Sequence, residues 1–154
     1  MDGTAFAPAG RVMGRRTVLV VEDDPLLRQR IKLWLESEKF DVRCASDYEA
    51  ALKEMDECPP AIACVDLTLP RESGFDLVEA IRKHAKHKGV PIVLMSDRHS
   101  PEDMAEAERV GANAFLKKPF ARPLLLKYVR WILDGPHASS PSIHSLRCVE
   151  SAEG

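Results

Sequence analysis

The chain has 154 residues, 45% hydrophobic and 30% charged, with a formal net charge of -2. That length suits one domain with a real core, and the charge balance supplies no basic field for nucleic acid. No apolar run approaches membrane-spanning length, so the expectation is a cytoplasmic protein with neither nucleic acid nor membrane as a direct partner.

Residues 1–16 are rich in Ala, Gly and Pro without periodicity and read as a flexible arm. Arg15-Arg16 precedes an apolar run, but Glu22-Asp23-Asp24 ends it too soon for an export signal. Thr17–Val21 is a buried strand ending in those three acids. Pro25 then opens a helix where a missing N–H is harmless, with Leu27, Ile31, Trp34 and Leu35 as its apolar stripe. Phe40, Val42 and Cys44 alternate with Asp41 and Arg43, as in an edge strand. Ser46-Asp47-Tyr48-Glu49 is a capping box for a second helix that ends near Cys58.

Ala61 to Asp66 is an apolar run ending on an acid, a strand covered on both faces. Pro70 and Gly74 interrupt regular structure, and Ser73 caps a third helix facing inward with Leu77, Val78 and Ile81 and broken by Gly89. Pro91–Met95 is a fourth buried strand, ending at Ser96. Ser100 caps a fourth helix that Gly111 terminates. Ala114–Leu116 is a fifth strand, 117–120 a loop and Arg122–Asp134 a fifth helix. Residues 135–154 carry Ser, Pro and His and read as a disordered tail. Cys44, Cys58, Cys64 and Cys148 lack CxxC spacing and read as reduced thiols.

Strands alternating with helices five times imply an α/β fold, a doubly wound five-stranded parallel sheet spanning 17–134. Ligands of such sheets bind outside the carboxyl ends of the strands. Those ends carry Glu22-Asp23-Asp24, Asp66, Ser96 and Lys118. Converging carboxylates repel unless a cation joins them, and hard oxygen ligands suit Mg2+. A carboxylate there can attack phosphorus, with the lysine and metal neutralising the phosphoryl group and the Ser96 hydroxyl binding one of its oxygens.

From Thr17 to Asp134 the chain resembles the receiver domain of two-component response regulators. The resemblance rests on Val-Val-Glu22-Asp23, Asp66 with Pro70 and Gly74 behind it, Ser96, and Lys118-Pro119. It implies a flavodoxin-like fold of strand order 2-1-3-4-5, with Asp66 as phosphoacceptor and Glu22 and Asp23 holding Mg2+ with the Thr68 carbonyl. It further implies that Ser96 and Phe115 form a switch pair, that Lys118 pairs with the phosphoryl group, and that the Lys118–Pro119 bond is cis. The expected protein is a single-domain phosphoprotein, not an enzyme beyond self-catalysed phosphoryl transfer and autodephosphorylation. Its partners would be a histidine kinase or phosphotransfer protein and an output protein that the sequence does not name.

Asp97 departs from the pattern, since receivers place a small residue after the switch hydroxyl; it adds negative charge at the mouth of an anionic site. The rival readings are a phosphorylation-independent pseudo-receiver and an Asp-nucleophile phosphatase using Asp66-Leu67-Thr68. On the fifth helix, Leu125, Leu126, Val129, Ile132 and Leu133 form a core stripe, while Leu124, Tyr128 and Trp131 form a second one, read as a partner or homodimer surface. His84 and His87, one helical turn apart among lysines, read as a solvated basic face rather than a metal pair. Ile143, Leu146 and Val149 in the tail read as a chance spacing.

Overall fold

The computed structural model describes residues 14–135. The predicted arm before Gly14 and the tail beyond Gly135, Ile143, Leu146 and Val149 included, lie outside the described residues. Five strands alternate with five helices: β1 (Thr17–Val21), α1 (Pro25–Glu36), β2 (Asp41–Ala45), α2 (Tyr48–Glu57), β3 (Ile62–Asp66), α3 (Gly74–Lys83), β4 (Ile92–Ser96), α4 (Pro101–Val110), β5 (Ala114–Lys117) and α5 (Arg122–Asp134). All neighbouring strands pair in parallel, in the order β2-β1-β3-β4-β5.

The apolar runs are buried because each strand alternates its side chains between two covered faces. Leu19, Val21, Ala63, Val65 and Leu94 pack with Met55, Leu77, Ile81 and Ala107 from α2, α3 and α4. Val18, Val20, Ile62, Cys64 and Val93 pack on the other side with Ile31 and Leu35 of α1 and with α5. Arg16, expected in the flexible arm, is anchored: its guanidinium holds Asp134 at 2.9–3.0 Å.

The helix ends follow local chemistry. Asp24 accepts the Leu26 N–H at 3.0 Å, and Ser73 and Ser100 form reciprocal capping boxes with Asp76 and Asp103. The second helix is capped by Asp47 rather than Ser46, with the Ala50 N–H donating to Asp47 at 2.8 Å. At Gly111 the chain turns left-handed, φ 100°, which favours glycine. The third helix stops at Lys83 instead of running on to Gly89; the His87 and Lys88 N–H groups bond the His84 carbonyl and close a turn. His87 is thereby buried, which corrects the expectation of a solvated histidine pair.

The fifth helix also corrects the sequence. Its buried residues are Leu124, Leu125, Tyr128, Val129 and Ile132, a face midway between the two predicted stripes. Tyr128 is wholly enclosed, Leu124 is nearly so, and Trp131 is half-buried, so Leu124, Tyr128 and Trp131 are not an exposed partner patch. The reason is that α5 packs against α1 as well as the sheet. A helix filling that corner needs a wider apolar arc than one lying on a sheet alone. Leu126 and Leu133, assigned to the core, are only partly buried.

Candidate functional site

Strand register brings the chemistry-bearing residues together. Val21 pairs with Val65, so Glu22 and Asp66 leave the sheet side by side. Asp66 pairs with Met95, which puts Ser96 one step beyond it, and Ser96 pairs with Lys117, which puts Lys118 at the same edge. Gly74 allows this edge to close: a Cβ there would stand 2.5 Å from the Asp66 carbonyl oxygen. Its N–H donates to the Leu67 carbonyl at 2.7 Å and folds the β3–α3 loop back beneath Asp66.

Lys118 Nζ donates to Asp66 Oδ1 at 3.1 Å and lies 2.9 Å from Glu22 Oε1. The Thr68 N–H donates weakly to Asp66 Oδ1 at 3.4 Å, and the Asp24 N–H to Glu22 Oε2 at 3.2 Å. Glu22 and Asp66 are 1% and 3% exposed, whereas Asp23 faces solvent. Burial pushes Glu22 up to about 7 against the pull of the Lys118 ammonium. Burial also raises Asp66, opposed by the same charge. Burial tends to lower Lys118, but its bonds to Glu22 and Asp66 outweigh that and raise it.

Glu22, Asp23 and Asp66 each offer a carboxylate oxygen within 4.8 Å of the others. Glu22 Oε1 is buried against the Lys118 ammonium, 2.9 Å away. Three carboxylates against one ammonium leave excess negative charge, which a hard divalent cation with oxygen ligands and an open, wet side would balance. The donor set therefore fits Mg2+.

Ser96 is buried at the end of β4, where its Oγ accepts the Arg98 N–H at 2.8 Å. Phe115 is also buried, packed in the core layer beneath α4. The Lys118–Pro119 peptide is cis. Sequence reasoning missed His99, whose ring meets Phe115 edge-on at 4.9 Å between centroids. It also missed Arg71 and Arg98, which with Thr68, Glu72 and Ser73 line a cleft beside the site. Two arginines placed just after strand-end residues were the available signal.

Residues 18–130 match the response regulator receiver domain. The chain is 32% identical over 120 residues to the sensory transduction protein BceR of Halalkalibacterium halodurans, covering 78% of this chain and 51% of that protein. It is 33% identical over 116 residues to the DNA-binding response regulator MtrA of Mycolicibacterium smegmatis, covering 75% and 50%. The chain thus spans about half the length of the curated relatives it matches. Among solved structures, the chemotaxis response regulator CheY4 of Vibrio cholerae is 31% identical with a TM-score of 0.74, covering 77% of this chain and 99% of that one.

Proposed function

The chain belongs to the response regulator receiver domain family, and from that premise we propose that Asp66 accepts a phosphoryl group from a histidine kinase or phosphotransfer protein. The single observation that carries this reading is the contact of Lys118 with two buried carboxylates at once, Asp66 at 3.1 Å and Glu22 at 2.9 Å. With Asp66 Oδ1 held by Lys118 and the Thr68 N–H, Oδ2 attacks phosphorus. The P–N bond of the phosphohistidine breaks, and the imidazole nitrogen keeps the electron pair. Lys118 then follows the charge onto the phosphoryl oxygens, and the Ser96 hydroxyl donates to one of them. Glu22, Asp23, Asp66 and the Thr68 carbonyl would hold Mg2+, which would supply charge neutralisation for the transferring phosphoryl group.

Output follows from the exchange at Ser96. Its Oγ now accepts from the Arg98 N–H, so turning toward a phosphoryl oxygen re-sets the β4–α4 loop. That loop carries His99 against Phe115, which links the site to the face of α4 and β5. Phosphorylation then shifts the population of this face toward the form that an output partner binds.

The test is incubation with Mg2+ and acetyl phosphate, followed by intact-mass analysis. The wild type gains one phosphoryl group and Asp66→Asn gains none. Gain by Asp66→Asn at the wild-type rate overturns the site assignment. No gain by the wild type favours a phosphorylation-independent interaction module.

A further inference from the structure

At the opposite end of the sheet, three side chains converge that phosphoryl transfer does not use. Asp56 lies in the last turn of α2, His84 caps the end of α3, and His87 sits in the turn that follows. Both places precede the start of a strand, β3 or β4, and so lie at the amino edge of the sheet. His87 Nε2 is 2.9 Å from Asp56 Oδ1, and His84 Nε2 is 3.9 Å from the same oxygen. The imidazole rings stack, with centroids 4.2 Å apart and planes 22° apart.

We propose that Asp56, His84 and His87 form a binding site for a transition-metal ion of the Zn2+ class, separate from the acidic site at Asp66. The donor chemistry selects that class: two imidazoles and one carboxylate suit Zn2+, Ni2+ or Cu2+, whereas Mg2+ prefers oxygen alone. Three protein ligands leave a fourth position for water, as in open zinc sites. Metal–ligand bonds of about 2.0–2.2 Å in a tetrahedron place neighbouring donors roughly 3.3–3.5 Å apart. The observed 2.9 and 3.9 Å from Asp56 bracket that spacing, and the stacked rings must swing apart for both Nε2 lone pairs to meet one ion.

His87 is 98% buried with its Nε2 turned to Asp56, so its ring is held in the cluster by the fold. Hydrogen bonds close the turn that holds it: the His87 and Lys88 N–H groups donate to the His84 carbonyl, and the Val90 N–H to the His87 carbonyl. Asp56 and His84 are solvent-accessible, which gives an ion its path of entry.

The proton balance is simple. His84 Nδ1 accepts the Lys86 N–H at 3.1 Å, so the neutral ring carries its proton on Nε2. Binding through Nε2 moves that proton to Nδ1 and releases the Lys86 N–H, which water satisfies because Lys86 is exposed. His87 Nε2, which donates to Asp56, likewise passes its proton to Nδ1, so both rings bind neutral and Asp56 binds as a carboxylate. That carboxylate already lies below the usual range, first through its bond to His87. The ion would tie the end of α2 to the α3–β4 turn, a contact independent of Asp66.

The test is calorimetric titration of the full chain with Zn2+ in saturating Mg2+, with Co2+ absorption as a geometric probe. We expect one Zn2+ per chain in the wild type, with affinity falling at least tenfold in Asp56→Asn and in His84→Asn. The intense visible band of four-coordinate Co2+ is lost in the same variants. Both substituted residues are accessible, so these variants do not depend on whether His87→Gln folds. Equal Zn2+ affinity and equal Co2+ spectra in wild type and both variants overturn the proposal and place the ion on other groups. Absence of Zn2+ binding by the wild type overturns it too, leaving Asp56 and His87 as a hydrogen-bonded pair only.

Discussion

Gly74 and the carbonyl of Asp66 are in contact so close that a methyl group cannot come between them: a Cβ on Gly74 would lie 2.5 Å from the Asp66 oxygen and 2.8 Å from the Leu67 Cα. Both obstacles are backbone, so no side chain can swing aside. Gly74→Ala must displace either α3 or the end of β3, a form of overpacking that costs about 1–3 kcal/mol. We expect a lower midpoint of thermal unfolding and slower phosphate gain from acetyl phosphate. An unchanged midpoint would show that α3 slides freely on the sheet.

The buried carboxylates predict the pH dependence of stability without metal. Glu22 titrates near 7 in the folded chain and near 4.5 when unfolded, so the native state holds the extra proton between those values. Stability must then fall as pH rises from about 4.5 to 7, because the unfolded state gives up its proton first. Carboxylates held low by partners, such as Asp103 and Asp134, act at more acid pH and with the opposite sign. Glu22→Gln should flatten the slope in chemical denaturation, and Mg2+ should restore wild-type stability above pH 7. A slope that persists in Glu22→Gln would assign the proton elsewhere.

Asp97 is exposed immediately beyond Ser96 at the carboxyl end of β4. Its charge acts on Arg98, whose guanidinium is held by Asp103 at 2.7 Å. Repulsion between exposed charges is worth about 1 kcal/mol at close range, so Asp97→Ala should speed phosphorylation by acetyl phosphate up to about fivefold. Salt should shrink the difference by screening. Equal rates at low and high salt would mean that Asp97 does not sense the donor.

Tyr128 carries the corrected reading of α5. It is fully enclosed beside Leu125 and Val129, and Tyr128→Ala should cost about 3–5 kcal/mol by leaving a cavity of aromatic size. Trp131, only half-buried, should cost less when truncated. Thermal unfolding checks both, and a mild effect at Tyr128 would return it to the surface.

Residues whose position is set along the chain could be read from the sequence, and those set across it could not. Asp66, Ser96 and Lys118 each end or follow an apolar strand, so alternation and right-handed crossovers put them at one edge. The buried face of α5 depends on α1, about 90 residues away along the chain, and periodicity within α5 averages over that neighbour. His87 looked solvated among lysines because its partner Asp56 stands 31 residues earlier, in α2. The shift of the second cap from Ser46 to Asp47 is a choice between adjacent residues of equal capping power.

Arg82 is a long-range device that composition and spacing left unread. At the end of α3 its Nε donates to the Gly111 carbonyl at 2.9 Å, and Nη1 donates to the Lys88 and Val90 carbonyls at 2.9 and 2.6 Å. Nη2 donates to Asn113 Oδ1 at 2.9 Å, and that same oxygen accepts the Ile92 N–H at 2.8 Å. One guanidinium therefore joins α3, the turn before β4 and the turn before β5. Burial lowers its pKa, yet it stays charged at any pH the fold survives. Hydrogen bonds from a charged donor are worth about 1.5–3 kcal/mol each, less where solvent reaches them. Lysine cannot reproduce the planar fork, so Arg82→Lys should destabilise nearly as much as Arg82→Met. The same variants should speed hydrogen exchange at Gly111, Ala112 and Asn113 while leaving Asp66 able to accept phosphate. Wild-type stability in Arg82→Lys would show that one ammonium contact suffices and that the fork is dispensable.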